Sequence, residues 1–380
     1  MCVGRAVAAI AVATLDDLEE KPLAVGPAVE LEILCLALTV GACGEDETEP
    51  SPGTTLEIVA ESPRQWTGVA VSKDGRLFVN FPRWSDDVPV SVAEIDVADG
   101  SVTPFPDARW NGWKPGASPA EHFVCVQSVT VDESGALWIL DPANPKFQGV
   151  VAGGPKLLRV DLASGEIDRF PFDATVALQN SYLNDVRVDT KTGTAYITDS
   201  GAGGLVVLDL STKEARRVLT EHPSTRAEAI DITIEGTPWK RGGETPQVHA
   251  DGIGLSPDRR FVYYQALTGR TMYRIPTVAL RDPSLGDAQI GAQVERVAVS
   301  GVSDGLVFDA AGNLYLSSLE ENAVNKLTPD HSRVGVVSDP QLSWPDSFAL
   351  GPDGWIYVTT AQIHQGASPR DPYRVWRFRP

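Results

Sequence analysis

Four cysteines, two methionines and five histidines are scattered through 380 residues. Cys2, Cys35 and Cys43 lie near the start, which leaves Cys125 alone in the body of the chain, and a lone cysteine cannot close an intramolecular disulfide. It sits in the apolar stretch Phe123-Val124-Cys125-Val126, the setting of a buried thiol rather than a nucleophile. There is no His/Cys spacing of a zinc site, no G-x-S-x-G and no phosphate-binding loop. Positive charge is also scarce: 32 Lys and Arg stand against 51 Asp and Glu, a formal charge of −19. With no basic run anywhere, nucleic acid and anionic membrane surfaces are excluded as primary partners. Ile33 to Cys43, the main apolar run, is 11 residues and too short to cross a bilayer as a helix.

That run suits the apolar region of a secretion signal. It closes with Val40-Gly41-Ala42-Cys43, which resembles a bacterial lipobox, although Glu30 and Glu32 stand where a signal usually carries basic residues. The expectation is a cleaved signal-like segment over 1–42, lipidation at Cys43, and an acidic, proline-rich tether over 43–55 that cannot pack. The protein is then exported and membrane-anchored through lipid alone, with a monomeric domain over 56–380. At 42% hydrophobic and 22% charged residues, that domain has material for a sizeable core, and Gly 34 with Pro 28 predicts many turns and short elements.

One phrase recurs six times: alternating apolar residues, an acidic or Gly-type turn, then a strand rich in aromatics. It begins at Trp66, Val126, Leu183, Ala250, Ser303 and Pro345. Period-two alternation with β-branched and aromatic enrichment makes each copy a hairpin. A second strand pair follows most copies, as in Lys156 to Phe172 and Gly204 to Leu219. Four strands in each of six units predict an all-β, six-bladed β-propeller. The last unit is one strand short, and a surplus strand, Leu56 to Ala60, stands at the start. Pairing the two latches the ring and hides both edges.

The connections Phe81 to Val90, Asp107 to Cys125, Asp141 to Lys156, Glu221 to His249 and Ala361 to Tyr373 are long and lie on one face. Binding is expected on that mouth face. Two positions before the apolar pair of each inner strand stand Thr67, Gln127, Asn184, Asp251, Asp304 and Asp346. Alternation puts them on one face with the apolar residues that follow, as a ring at the channel mouth. Three carboxylates converging there repel and raise a pKa unless a cation or solvent intervenes. Oxygen-only ligands at Asn184, Asp251, Asp304 and Asp346 suit Ca²⁺ or Mg²⁺ rather than zinc. The alternative is that the ring hydrogen-bonds neighbouring strand ends and water. His249, two residues before Asp251, is a candidate general base, as is His364.

Several of these stretches resemble the yellow/major royal jelly protein family. They are Phe81-Pro82-Arg83-Trp84 with Val88 to Val92, Leu137-Trp138-Ile139-Leu140-Asp141, Ala195 to Gly201, and Tyr263 to Leu267 with Ile275-Pro276-Thr277. Pro142 replaces the usual small residue after the second stretch. The resemblance covers about 56–380 and independently implies a six-bladed propeller. Insect members of the family include proteins linked to dopachrome conversion, secreted amine binders and nutritive proteins. A weaker resemblance is to the gluconolactonase/SMP-30 propellers, through Asn184 and the Asp-Gly pairs at Asp251 and Asp304. There Thr67 stands in place of a metal-binding Glu and Asp251 in place of an Asn. Two readings follow. One is a binder of a small cationic or aromatic ligand, with charge from Asp251, Asp304 and Asp346, further contacts from Gln127 and Asn184, and stacking from Trp84, Trp110 or Trp113. The other is a metal-dependent lactonase with Asp251 or His249 as base.

Overall fold

The computed structural model describes residues 54–366 and 368–380. The signal-like segment, Cys43 and the tether up to residue 53 lie outside the described residues. Six antiparallel four-stranded sheets follow one another along the chain. Their inner strands are Val69–Val71, Ser128–Val131, Leu183–Asp189, Ala250–Leu255, Ser303–Phe308 and Pro345–Leu350. Each touches the inner strands of both neighbours, and the sixth touches the first, so the blades close into a ring. The fold is a six-bladed β-propeller.

Sequence chemistry explains the blades. At the far-face turns Gly75, Gly135 and Gly312 adopt φ of 88°, 88° and 89°, a region closed to most side chains. Beside the second of these, Asp132 accepts from the backbone N–H of Ser134 at 2.8 Å and from the Trp138 indole N–H at 2.8 Å, pinning turn to strand. The core is not one mass but a set of wedges between blades. Ala70 and Phe78 of blade 1 meet Val129 and Leu137 of blade 2. Trp138 and Leu140 meet Val186 and Ile197 one blade further on. Ala349 and Tyr357 of blade 6 close the ring against Val69 and Val79.

The sixth sheet holds Pro345–Leu350, Ile356–Thr360, Tyr373–Phe378 and, outermost, Glu57–Ser62, the surplus N-terminal strand. Backbone pairing is reinforced where Glu57 takes the Arg377 guanidinium at 2.6 Å and Glu61 that of Arg374 at 2.7 Å. Ala60 is buried in the wedge between the last and first blades.

The structure corrects one expectation. The ring residues do not share a face with the apolar residues that follow them. In blades 3 to 6 the pairing register shifts at this point, between Leu183 and Val186, Ala250 and Ile253, Ser303 and Leu306, and Pro345 and Phe348. A bulge with an extra residue breaks period-two alternation and re-aims the side chain. Val186, Ile253, Leu306 and Phe348 accordingly pack in the wedges.

A chain beginning at residue 63 is expected to melt more than about 5 °C below one beginning at residue 54, because it loses a paired strand and bares the edge of blade 6. Circular-dichroism melts of the two proteins check this; equal melting temperatures would show that the strand does not latch the ring.

Candidate functional site

The bulges are held by the second strand of each blade. Thr198 Oγ accepts the Asp185 N–H at 3.1 Å and donates to the carbonyl of Asp251 in the next blade. Thr359 does the same between blades 6 and 1, accepting from Ser347 N–H at 3.1 Å and donating to Thr67 O. Ser317 Oγ accepts both Asp304 N–H and Gly305 N–H, at 3.0 and 2.8 Å. The inner strands approach so closely here that a Cβ on Gly252 would collide with the carbonyl of Asp304, and one on Gly305 with that of Asp346. The Asp-Gly pairs of the repeat therefore meet a steric demand between blades.

Further out, Asp141 accepts the N–H groups of Val124 and Cys125 at 2.8 and 2.9 Å and pairs with buried Lys156 at 2.7 Å. Asp199 likewise accepts Tyr182 N–H at 2.8 Å and pairs with Arg217 at 2.7 Å. These carboxylates fix the segments that deliver Gln127 and Asn184 to the mouth. Cys125 lies among them, fully buried with its sulfur 3.7 Å from the Tyr182 hydroxyl; burial pushes its thiol up to about 12.

A cavity of about 220 Å³ opens at the mouth, lined in part by Gln127, Asn184, Asp251 and Asp304 from the ring and by Trp84. Asp346 is buried beside them, with one carboxylate oxygen accepting from Ser347 Oγ at 2.9 Å and the other unpartnered. Asn184 donates its amide to Asp251 Oδ1, and the Trp344 indole N–H donates to Asp304 Oδ2 at 2.8 Å. Thr67 faces neither cavity nor solvent: it donates to Gln127 O at 3.0 Å and accepts from Asn80 at 2.9 Å.

Burial and mutual repulsion govern the carboxyls. Burial first, then the Asp304 charge, raises Asp251 well above the usual carboxylate range. Burial raises Asp346 similarly, with Asp304 adding to it. Asp304 is raised to about 6, burial outweighing the Trp344 hydrogen bond and the contact with Asp251 that favour its anion. The ring carboxyls thus hold their protons to higher pH than exposed carboxyls do.

The walls are aromatic. Trp84 and Phe147 have ring centroids 5.7 Å apart, Phe147 and Tyr182 4.8 Å, and Trp239 meets Trp344 edge-on at 4.9 Å. Trp84 Nε1 donates to the Tyr182 hydroxyl, which donates to Gln127 Oε1 at 2.9 Å. Phe147 is 52% exposed. It is held there by a loop in which Ala143, Lys146 and Phe147 all take left-handed φ, of 51°, 56° and 57°. Such conformations cost free energy in residues other than glycine and concentrate where a side chain must be aimed.

Other candidates fall outside the cavity. Trp110 packs on Phe123 at 5.3 Å, and Trp113 is buried with Val124 and Ala143 under the Arg83 guanidinium. Both serve packing, and Trp239 and Trp344 line the cavity instead. His249 does not line the cavity; its Nδ1 accepts the Ala227 N–H at 3.0 Å, and burial lowers its pKa. His364 stacks on Trp344 at 5.9 Å with 8° between planes, its Nε2 3.6 Å from Glu235. Phe147, Tyr182, Trp239 and Trp344 were not foreseen. Two carried a signal: Tyr182 and Trp344 stand two residues before Asn184 and Asp346, the position His249 holds before Asp251.

Asp251 Oδ1 and Asp304 Oδ2 each take an N–H, while Asp346 Oδ2 has no partner among the described residues. Among the described residues no three His, Cys, Asp or Glu side chains gather as a metal cage.

The profile of the major royal jelly protein family matches residues 124–343. The chain belongs to that family. The Asp141, Asp199 and Trp84 motifs that carry the family resemblance therefore build and line this mouth. Protein yellow of Drosophila yakuba is 27% identical over 240 residues, covering 58% of this chain and 43% of the fly protein. The chain spans less than half the length of such curated relatives. Among solved structures, a gluconolactonase from Xanthomonas campestris is similar with a TM-score of 0.52 at 16% identity, over 86% of this chain and 89% of that one. The calcium-binding protein regucalcin from Agrobacterium tumefaciens has a TM-score of 0.50 at 17% identity, over 86% and 93%. At these identities the likeness is one of fold.

Because folding raises the Asp304 pKa from 3.8 to about 6, its favourable contribution is complete below about pH 4 and is lost as pH rises through about 6. Asp304→Asn keeps an acceptor for Trp344 and removes the buried charge. It is expected to stabilise the protein at pH 8 by up to about 3 kcal/mol and to change little at pH 4. Urea unfolding at both pH values reads the difference; the same effect at each would mean that the carboxyl titrates normally.

Proposed function

We propose that this major royal jelly family member binds a small organic cation, an aromatic amine in chemical class, at the channel mouth. The observation that carries the reading is the pairing of buried carboxyls with aromatic walls in one cavity of about 220 Å³. An ammonium group entering it replaces the repulsion between Asp251, Asp304 and Asp346 with attraction, and the ring faces of Trp84, Phe147 and Trp239 favour the cation and stack its aromatic part. Gln127 and Asn184 supply polar contacts beside the ring.

Binding through Asp304 strengthens as pH rises through about 6, where its carboxyl ionises. Calorimetric titration with 2-phenylethylamine and its uncharged analogue 2-phenylethanol tests this. The amine is expected to bind at least about tenfold more tightly, roughly 1.4 kcal/mol, at pH 8, and Asp304→Asn to abolish the preference. Equal binding of amine and alcohol would overturn the reading. A thermal shift with Ca²⁺ that disappears in Asp304→Ala would favour lactone hydrolysis instead.

Export and lipid attachment at Cys43 belong to the same proposal and rest on the Val40-Gly41-Ala42-Cys43 motif ahead of an acidic tether. Expressed in a bacterium, the protein is expected in the membrane fraction and Cys43→Ser in the soluble one. Unchanged fractionation of the variant would remove the anchor.

A further inference from the structure

Among the described residues that line the mouth cavity, one is basic: Arg241. It comes from the 221–249 connection, whose Trp239 is packed in the wall against Trp344. Just beyond it the chain reverses through Gly242 and Gly243, at φ of 62° and 90°. The turn is closed by the Arg241 N–H on the Glu244 carbonyl at 2.8 Å and the Glu244 N–H on that of Arg241 at 3.2 Å. Positive φ at both central residues makes a tight two-residue turn of the kind that glycine favours. Arg241 thus leaves the buried wall at a defined point of the rim, where it is exposed.

No hydrogen bond or ion pair among the described residues engages the Arg241 guanidinium, whereas the cations near it are taken. Lys240 pairs with Asp231 and donates to Thr245 at 2.9 Å. Arg270 pairs with Glu320 at 2.8 Å and Arg370 with Glu235 at 2.5 Å, while Arg226 donates to the Ala202 carbonyl at 2.8 Å. Glu244, across the turn, is exposed as well, and attraction between two exposed groups is weak. Asp251 and Asp304 line the same cavity and are buried. The cavity therefore has a buried acidic end and an exposed basic one, with aromatic walls at Trp84, Phe147 and Trp239. A cavity of about 150 Å³ accepts benzene. One of about 220 Å³ takes a single ring with a short substituent.

We propose that the ligand of the mouth is a zwitterion, an aromatic amine bearing a carboxylate at the opposite end of its ring, and that Arg241 selects it. The inference rests on the amine reading above and narrows it. The ammonium lies among Asp251, Asp304 and Asp346, and the carboxylate takes Arg241, whose planar fork matches it with two parallel hydrogen bonds. Toward a plain amine Arg241 is a like charge at the entrance; toward an amino-carboxylate it is the complement. Without Arg241 the acidic ring and a chain of charge −19 repel the carboxylate. The sign of one exposed residue thus decides which amine the cavity prefers.

Calorimetric titration of the full chain at pH 8 with 4-(aminomethyl)benzoate and with benzylamine tests the inference. The two differ only in the carboxylate, and the first is expected to bind at least fivefold more tightly. Arg241→Gln should erase that preference, and Arg241→Glu should reverse it, making benzylamine the tighter ligand. A loss of structure would weaken both ligands together, so the reversal is a readout that a merely structural role does not produce. Both variants change an exposed, unbonded side chain, and their melting temperatures should match that of the parent. Benzylamine binding that is equal to or tighter than that of the zwitterion, or a preference that survives in Arg241→Gln, overturns this inference and leaves the amine reading standing. Failure of both ligands to bind overturns the two together.

Discussion

The tightest constraint in this protein is the approach of neighbouring inner strands at the mouth of the channel. Two strands that close leave backbone N–H and C=O groups buried without room for water, and each must find a partner. Thr198, Ser317 and Thr359 supply it, and the two threonines bond both the bulge of their own blade and the carbonyl of the next. The glycines after Asp251 and Asp304 are the steric half of the same arrangement. Once strands meet this way, each bulge turns its ring residue toward the axis. Polar side chains from successive blades must then share one small volume. The mouth cavity is thus a by-product of how the ring closes.

That convergence creates an electrostatic problem which the surrounding residues only partly solve. On a chain of charge −19, the buried carboxyls Asp251, Asp304 and Asp346 are met by three neutral donors, the Asn184 amide, the Trp344 indole and the Ser347 hydroxyl. Arg187 lies on the far side of Asp185 and gives its hydrogen bonds to carbonyls. One oxygen of Asp346 has no partner at all. Burial and like charge therefore lift the carboxyl pKa values. A cation placed among these carboxyls would offset their mutual repulsion.

Much of this was legible in the repeats. Period-two alternation, turn residues and the unmatched strands at the two ends were sufficient for six blades and their closure, because each is a local property repeated six times. The ring positions were legible too, but not the reason they face the axis. Uniform alternation cannot reveal a bulge, since the extra residue shows only in the pairing of one strand with the next. Aromatic wall residues were harder still: Trp110 and Trp113 look as available in sequence as Trp239 and Trp344, and only the paths of their loops separate them. Arg187 did carry a signal. It occupies the position between the two apolar residues of its inner strand, where other blades place Ala70, Thr130, Gly254, Val307 and Ala349. That one charge bridges the channel, bonding the Leu306 carbonyl two blades away.

The likeness in shape to a gluconolactonase sharpens the distinction between scaffold and chemistry. A propeller supplies a ring of inner-strand ends whatever residues stand there, so shared architecture says little about what the ring holds. A divalent cation requires ligand oxygens that are ionised and free on the side facing the metal. Here the N–H groups of Asn184 and Trp344 lie against two of those oxygens, and burial raises the Asp251 pKa. Trp344 is the more telling of the two. It is fully buried, it is held at a left-handed φ of 56°, and it presents its N–H to Asp304 while its ring meets Trp239 in the wall. One residue thus bonds a carboxylate oxygen and contributes aromatic surface beside it, the combination on which the proposed organic-cation reading rests.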